Sequence, residues 1–115
     1  MLICEDNYSN AHGTPWAYKE LGIGKLVGAP VPGTMTAVWW EYQIDGSTVF
    51  GIPQVGCMDM KGRYLENLQL EPDVEIYNPN EEVLNGHDSQ LLKAVEVLQK
   101  DADEFFKAHP EIKRK

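Results

Sequence analysis

The fold is decided by one stretch near the start of the chain, residues 2–28, which reads LICEDNYSNAHGTPWAYKELGIGKLVG. Residues 1–5 form a short, largely apolar run without a helical period, and this predicts a buried strand. Residues 6–14 are rich in Asn, Ser and Gly, and this predicts a loop. A catalytic group would be well placed in that loop, because active sites of α/β folds gather at the carboxyl ends of strands.

A helix and a second strand follow the loop. Thr14 is a good N-cap residue and Pro15 is tolerated at the first helical position, so we expect the helix to begin there. Gly22 is a typical residue at a helix end. Residues 25–28 (KLVG) then predict a second short buried strand. The order strand, loop, helix, strand is typical of a crossover unit with parallel strands.

The middle and the end of the chain have different patterns. Asp45-Gly46 is a strong hairpin turn between two segments rich in β-branched and aromatic residues. Asp88 or Ser89 can cap a closing helix, over residues 88–107, whose apolar residues recur at helical spacing up to Pro110. The predicted strands are residues 36–44 and 47–52, a second hairpin of 54–60 and 62–65 around Lys61-Gly62, and 74–76.

Composition narrows the possible classes of protein. The 115 residues suit one small domain or a piece of a larger one, and the opening inside a strand favours the piece. The net charge of −8 argues against nucleic acid and anionic membranes as partners. No apolar run is long enough to span a bilayer. Cys4 and Cys57 are too few for a zinc site or a disulfide framework, and we expect unpaired thiols rather than a disulfide, and no metal or cofactor.

Four segments, taken in order, resemble one family of enzymes. Residues 2–12 (LICEDNYSNAH) resemble the nucleophile segment of tail-specific processing and tricorn-type serine peptidases. Residues 21–28 resemble the end of the following helix and the next strand of that family, residues 65–74 (LENLQLEPDV) its glutamate segment, and residues 88–94 its closing helix. The resemblance implies an α/β fold, a crotonase/ClpP-like mixed β-sheet with flanking helices. It also implies that residues 1–115 are the C-terminal portion of a catalytic domain.

The resemblance assigns roles to three residues. Ser9 falls on the nucleophile of the family, whereas loop position alone would favour a turn residue. The backbone N–H of Asn10, the next residue, falls on a donor of the tricorn-type oxyanion hole. Glu66 falls on the glutamate that supports the catalytic histidine through a second serine, and without the family an exposed structural carboxylate would be the better interpretation.

The sequence departs from the family at the residue that would act as the catalytic base. Members with a Ser–Lys dyad carry lysine where Thr34 follows residues 28–33 (GAPVPG), so the dyad is absent. Tricorn-type enzymes carry a histidine and its companion serine upstream of the nucleophile, and no histidine precedes Ser9 here. His12 stands where the family commonly has an acid and is a minor candidate for the base. His87 and His109 are expected to face solvent.

The resemblance leaves alternatives open. The leading hypothesis is a peptidase that acts on peptides or unfolded proteins, with its base supplied by an upstream segment or domain of the same parent chain. The alternative is a non-enzymatic module of the same fold that binds peptides or partners. An acyl-CoA enzyme of the crotonase type is a weaker third hypothesis, because it would not use a nucleophilic serine. Trp39 and Trp40, on opposite faces of a predicted strand, favour packing or an interface, and a homo-oligomer is possible. Both an exported and a cytoplasmic location in a prokaryote stay open.

Overall fold

The structure, a computed structural model, describes residues 1–112. The chain folds as a mixed α/β unit with small sheets and three helices in the described part. In chain order the elements are β1 (Leu2–Ile3), α1 (Asn10–Glu20), β2 (Val27–Gly28), β3 (Thr36–Tyr42), β4 (Val49–Gly56), β5 (Val74–Glu75), α2 (Asn80–Leu84) and α3 (Ser89–Ala108).

The strands form two separate sheets. The first contains three short parallel strands in the order β1-β2-β5, so the predicted crossover from β1 through α1 to β2 is confirmed. The second is the antiparallel hairpin β3-β4, in which Trp39 pairs with Ile52 and Trp40 with Gly51. The predicted hairpin around Asp45-Gly46 is therefore confirmed, but it stands apart from the parallel sheet.

A small core holds the parallel strands to α1. Ile3, Leu26, Val31 and Leu70 are buried together, and Trp16 and Tyr18 of α1 pack against them. Gly28 lies so close to the neighbouring strand that an added Cβ would come within 1.8 Å of the Ile3 carbonyl oxygen. Its φ of +138° is also one that side chains rarely allow. This glycine therefore sets how closely β1 and β2 approach, and with it where the loop after β1 begins.

The helix α1 begins five residues earlier than the sequence predicts, with Ser9 instead of Thr14 at the N-cap position. Thr14 is not its N-cap, and Pro15 lies inside the helix, where it has no N–H for the Ala11 carbonyl. The side chain of Asn7 takes over this role, because its Nδ2 donates to the Ala11 oxygen at 2.9 Å. The Asn7 side chain thus replaces the backbone donor that Pro15 lacks. The helix can therefore begin just after Ser9 and include Pro15.

The region after β4 also differs from the prediction. Instead of a second hairpin, a single bridge joins Met58 and Tyr64 around a turn. The turn is held by Asp59, whose carboxylate accepts the backbone N–H groups of Lys61 and Arg63 and pairs with the Arg63 guanidinium at 2.8 Å. The turn position was predicted correctly, but the Asp59 carboxylate adds to the backbone bonds across the turn, and strand pairing is limited to one bridge.

The closing helix matches its prediction. Asp88 is the N-cap of α3 and accepts the N–H of Leu91, and the helix ends before Pro110. It packs against β1 and β2, and Lys25 beside β2 pairs with Asp101 of the helix at 2.6 Å. The short helix α2 was not predicted. Among residues 1–112, no helix is long and apolar enough to cross a bilayer.

Candidate active site

Ser9 occupies a strained turn between β1 and α1. Its φ of 54° and ψ of −115° lie outside the conformations that non-glycine residues prefer. Such strain costs about 1–3 kcal/mol and tends to occur at functional sites. Serine at this position usually caps the helix with its hydroxyl, yet Ser9 makes no capping bond. Its carbonyl instead accepts the N–H groups of His12 and Gly13, at 2.8 and 3.1 Å. The backbone therefore starts the helix while the half-buried hydroxyl is left available.

The turn is braced by Asn7. Its Oδ1 accepts the backbone N–H of Cys4 at 3.2 Å and the Cys4 thiol at 3.1 Å. Its Nδ2 donates to the Ala11 carbonyl in the first turn of α1. One side chain thus ties the end of β1 to the helix and fixes the segment that carries Ser9. The role of Asn7 was not predicted from the sequence, although Asn at the start of a loop is a common signal for a side chain that bonds to nearby backbone.

Asn10 places a backbone donor beside the serine. It is the first residue of α1, so no carbonyl within the helix can accept its N–H. The next N–H, of Ala11, is already bonded to the Tyr8 carbonyl at 2.9 Å. The positive end of the helix dipole adds to the attraction for a negative oxygen at this point. The Asn10 N–H is therefore available to an anion that forms next to Ser9.

Glu66 is an anchored, ionised carboxylate. Its Oε2 accepts the backbone N–H groups of Met35 and Thr36, at 2.8 and 2.7 Å, where β3 begins. The bond from the Met35 backbone, followed by a bond from the Thr36 side chain, holds the pKa of Glu66 below its ordinary value of 4.5. Asn67, the next residue, has a positive φ of 60° and bonds through its N–H to the Gly33 carbonyl. The glutamate segment is thus held against residues 33–36, and Glu66 is a half-buried carboxylate rather than an exposed one.

His12 is the unexpected member of the site. It is fully buried, and within residues 1–112 neither ring nitrogen has a hydrogen-bond partner. Burial lowers the pKa of the ring below its ordinary value of 6.5, while the Leu68 backbone, which lies nearby but outside hydrogen-bond geometry, and the charge of Glu66 act in the opposite direction. The ring meets Trp16 edge-on, with centroids 5.5 Å apart. His12 is thus a buried residue of α1 itself, and no hydrogen bond joins its ring to Ser9.

A groove of about 650 Å³ runs along α1 from Asn10. Its walls are mostly apolar. Asp59, the buried carboxylate in its lining, is already bonded to Arg63. The side chains that shape the walls are Met35, Met58, Met60 and Leu65.

The remaining predicted residues lie away from this arrangement. His87 and His109 are exposed, as predicted, and His109 contacts Glu111 at 3.2 Å. Cys4 and Cys57 are both free and half-buried. The structure brings Ser9, Asn10 and His12 together on the first turn of α1, and the charge of Glu66 is near enough to act on the His12 ring. It does not place Glu66 in hydrogen-bond contact with Ser9.

Comparison of the sequence with known protein families shows which family of enzymes the chain belongs to. The profile of peptidase family S41 matches residues 1–76, from β1 through Ser9 and Glu66 to β5. The chain belongs to peptidase family S41. This is a family of serine peptidases, and the match covers both segments that carry the candidate catalytic residues.

This S41 chain is similar to two known proteases. It is 26% identical over 101 residues to the tricorn protease of Thermoplasma acidophilum, covering 85% of the chain and 9% of that protein. It superimposes on the crystal structure of the tricorn protease with a TM-score of 0.75 and 25% identity over 87% of the chain. Mature CPAF shares the fold, with a TM-score of 0.57 and 22% identity over 64% of the chain. The chain spans about a tenth of the length of the tricorn protease structure, 10%, and 14% of that of CPAF.

Proposed function

We propose that residues 1–115 are the C-terminal portion of the catalytic domain of a serine peptidase, in which Ser9 attacks the peptide carbonyl. The observation that carries the proposal is the conformation of Ser9: a serine on a strained turn between a strand and a helix, with its hydroxyl not used as a cap. A strand-to-helix turn of this kind is how several hydrolases expose a nucleophilic oxygen. Membership of family S41 supports the same role.

The proposed reaction is acyl transfer in two steps. The Ser9 oxygen bonds to the carbonyl carbon while its proton passes to a base, and the carbonyl oxygen becomes an anion next to the Asn10 N–H. The C–N bond then breaks, and the leaving amine takes the proton from the base. Water hydrolyses the resulting ester and regenerates the Ser9 hydroxyl.

Glu66 has an indirect role in this proposal. We infer that it supports a histidine base, through a serine, and that both come from a segment outside these 115 residues. Its two backbone bonds keep it ionised at neutral pH and fixed in place, as such a support requires. Lysine does not stand at position 34, so a Ser–Lys dyad is not proposed.

The wider setting of the site is also a proposal. The three parallel strands would belong to a crotonase/ClpP-like sheet whose other strands lie in the parent chain, with residues 2–12, 65–74 and 88–107 as nucleophile segment, glutamate segment and closing helix. Peptides or unfolded proteins would be the substrates, bound near the groove that begins at Asn10. Upstream domains of the parent and a second copy of the protein are the proposed partners.

Turnover of a peptide by the full-length protein tests this function. Ser9→Ala is expected to lower kcat by several orders of magnitude and to leave folding intact, because the residual activity of such variants comes only from binding and oxyanion contacts. Ser47→Ala, in the exposed turn of the β3-β4 hairpin, is the matched control and should retain wild-type turnover. Most of the activity surviving in Ser9→Ala would remove Ser9 from the role of nucleophile.

A further inference from the structure

Asn7 is a half-buried side chain that forms a bridge across the turn carrying Ser9. Its Oδ1 accepts the backbone N–H of Cys4 at 3.2 Å and the Cys4 thiol at 3.1 Å. Its Nδ2 donates to the Ala11 carbonyl at 2.9 Å. Because Cys4 precedes Ser9 in the chain and Ala11 follows it, one carboxamide joins the two ends of the segment that contains the candidate nucleophile.

The bridge encloses both groups that the proposed reaction needs from this segment. Only Tyr8, Ser9 and Asn10 lie between Asn7 and Ala11, so the bond from Nδ2 closes a short ring of backbone. Within this ring the Tyr8 carbonyl accepts the Ala11 N–H at 2.9 Å. The Ser9 hydroxyl and the Asn10 N–H are therefore held on a backbone that is fixed at both ends.

The same turn keeps the Ser9 hydroxyl out of the helix cap. A serine at the N-cap ordinarily accepts the N–H of the second or third helical residue, here Ala11 or His12. Both N–H groups are instead bonded to backbone carbonyls, at 2.9 Å to Tyr8 and 2.8 Å to Ser9. Ser9 has a φ of 54° and makes no capping bond. A strained conformation of this kind persists only when the surrounding structure enforces it, and the Asn7 bridge spans the strained residue.

We propose that Asn7 is a positioning residue of the reaction, whose bridge from Cys4 to Ala11 holds Ser9 in the strained turn and so keeps its hydroxyl available to the substrate carbonyl. The inference rests on the proposed function of Ser9 as nucleophile. Without the bridge, Ser9 relaxes to the ordinary capping conformation, in which its hydroxyl accepts the N–H of Ala11 or His12. The helix keeps a capped end, and the nucleophile is lost to the cap.

The bridge also serves the fold, and Pro15 allows the two roles to be separated. The Ala11 carbonyl has no backbone donor from residue 15, because that residue is a proline inside α1. Pro15→Ala returns an N–H to this carbonyl. In the double variant Asn7→Ala/Pro15→Ala the carbonyl again has a donor in the helix, but nothing ties it to Cys4. The double variant therefore removes the positioning role and restores the structural one.

Peptide turnover by the full-length protein tests the positioning role. Asn7→Ala and the double variant are both expected to lose kcat by up to about 10²-fold, the cost of a misplaced reacting group. Their KM should stay near the wild-type value, because Asn7 acts on the nucleophile and not on bound substrate. Pro15→Ala and Asn80→Ala, a change of an exposed asparagine at the start of α2, should retain wild-type kcat. Wild-type kcat in the double variant would overturn the proposal, because Asn7 would then only supply a donor to Ala11.

Nuclear magnetic resonance on the 115-residue chain tests the geometry without any substrate. Chemical shifts and coupling constants report the backbone φ of Ser9, which is expected to be positive in the wild type and in Pro15→Ala. In the double variant Asn7→Ala/Pro15→Ala it should become negative, as in an ordinary cap. A positive φ retained in that variant would overturn the proposal. This result needs no catalysis, whereas a failure of Ser9 as nucleophile would appear as turnover that survives in Ser9→Ala.

Discussion

The Glu66 carboxylate is bonded to the backbone at the start of β3, and this position explains both its lowered pKa and its proposed role. Two backbone N–H groups, from Met35 and Thr36, converge on one of its oxygens. The Thr36 side chain adds a further bond to the carboxylate. A carboxylate held in this way can orient a second group without taking part in covalent chemistry.

Replacement of Glu66 by glutamine should lower kcat in the full-length protein substantially, but less than Ser9→Ala does, because Glu66 supports the base and forms no bond to substrate. Turnover of the three proteins under identical conditions is the measurement. Glu81→Gln, a change on the exposed surface of α2, is the control and should be silent. Wild-type kcat in Glu66→Gln would return Glu66 to a purely structural role.

The pH dependence of stability gives a second view of the same residue. Because the folded-state pKa of Glu66 lies below its ordinary 4.5, its charge stabilises the fold fully above that value. The contribution is lost as pH falls through the lowered folded-state pKa. In Glu66→Gln this part of the acid destabilisation should be missing, which thermal unfolding between neutral and acid pH would detect.

Individual residues were the hardest to predict. Ser9 and Glu66 were located through the resemblance of whole segments, since a loop serine and a lone glutamate are too common to stand out. Asn7 was missed because its role depends on a carbonyl that Pro15 leaves without a donor, a relation visible only in three dimensions. The burial of His12 was equally hidden, because a histidine next to a polar loop is ordinarily exposed.

At the scale of elements, local signals succeeded where each segment supplied its own bonds. The helix α3 was predicted well because Asp88 caps it and its apolar residues repeat regularly. The start of α1 was placed too late because Thr14 and Pro15 form a strong starting signal that Asn7 overrides. The second hairpin was wrong because Asp59 satisfies the turn with its side chain, and strand pairing is then reduced to one bridge.

The close approach of β1 and β2 should fail if Gly28 gains a side chain. Gly28→Ala would place a Cβ 1.8 Å from the Ile3 carbonyl oxygen, at a φ of +138°. We expect a loss of unfolding free energy of at least about 2 kcal/mol, as for other strained and overpacked positions. Denaturant unfolding of the 115-residue chain measures it.

Gly46→Ala serves as the matched control for this change. Gly46 also has a positive φ, +69°, but nothing lies within 4 Å of an added Cβ. Gly46→Ala should therefore lower the unfolding free energy by about 1 kcal/mol, from the backbone conformation alone. Equal losses in the two variants would contradict the view that Gly28 sets the spacing of β1 and β2.

At the scale of the whole molecule, the chain carries more exposed apolar surface than its small core explains. Trp39 and Trp40 lie on opposite faces of the hairpin, and both are more than half exposed, 57% and 61%. The sequence predicted that the two tryptophan side chains point to opposite faces of the strand. It did not predict that both faces are exposed, because exposure depends on which other elements pack against the hairpin. Within residues 1–112, β1 and β5 are also the outer strands of the parallel sheet.

The isolated 115-residue chain is expected to hydrolyse no peptide at a useful rate. Within residues 1–112, no histidine or lysine is hydrogen-bonded to the Ser9 hydroxyl, and general-base assistance is worth about 10²–10⁴ in rate. A fluorogenic peptide assay of the chain beside the full-length protein measures this, with His12→Ala as the control. Robust cleavage by the isolated chain that disappears in His12→Ala would contradict the expectation and make His12 the base.

The nucleophile is the central claim, and covalent labelling tests it most directly. The full-length protein is treated with a fluorophosphonate, which reacts with activated serines, and the modified peptide is identified by mass spectrometry. We predict a single adduct on Ser9 that is absent from Ser9→Ala. An adduct on another serine, such as Ser47 or Ser89, with Ser9 unmodified in a protein that cleaves peptides, would contradict the account.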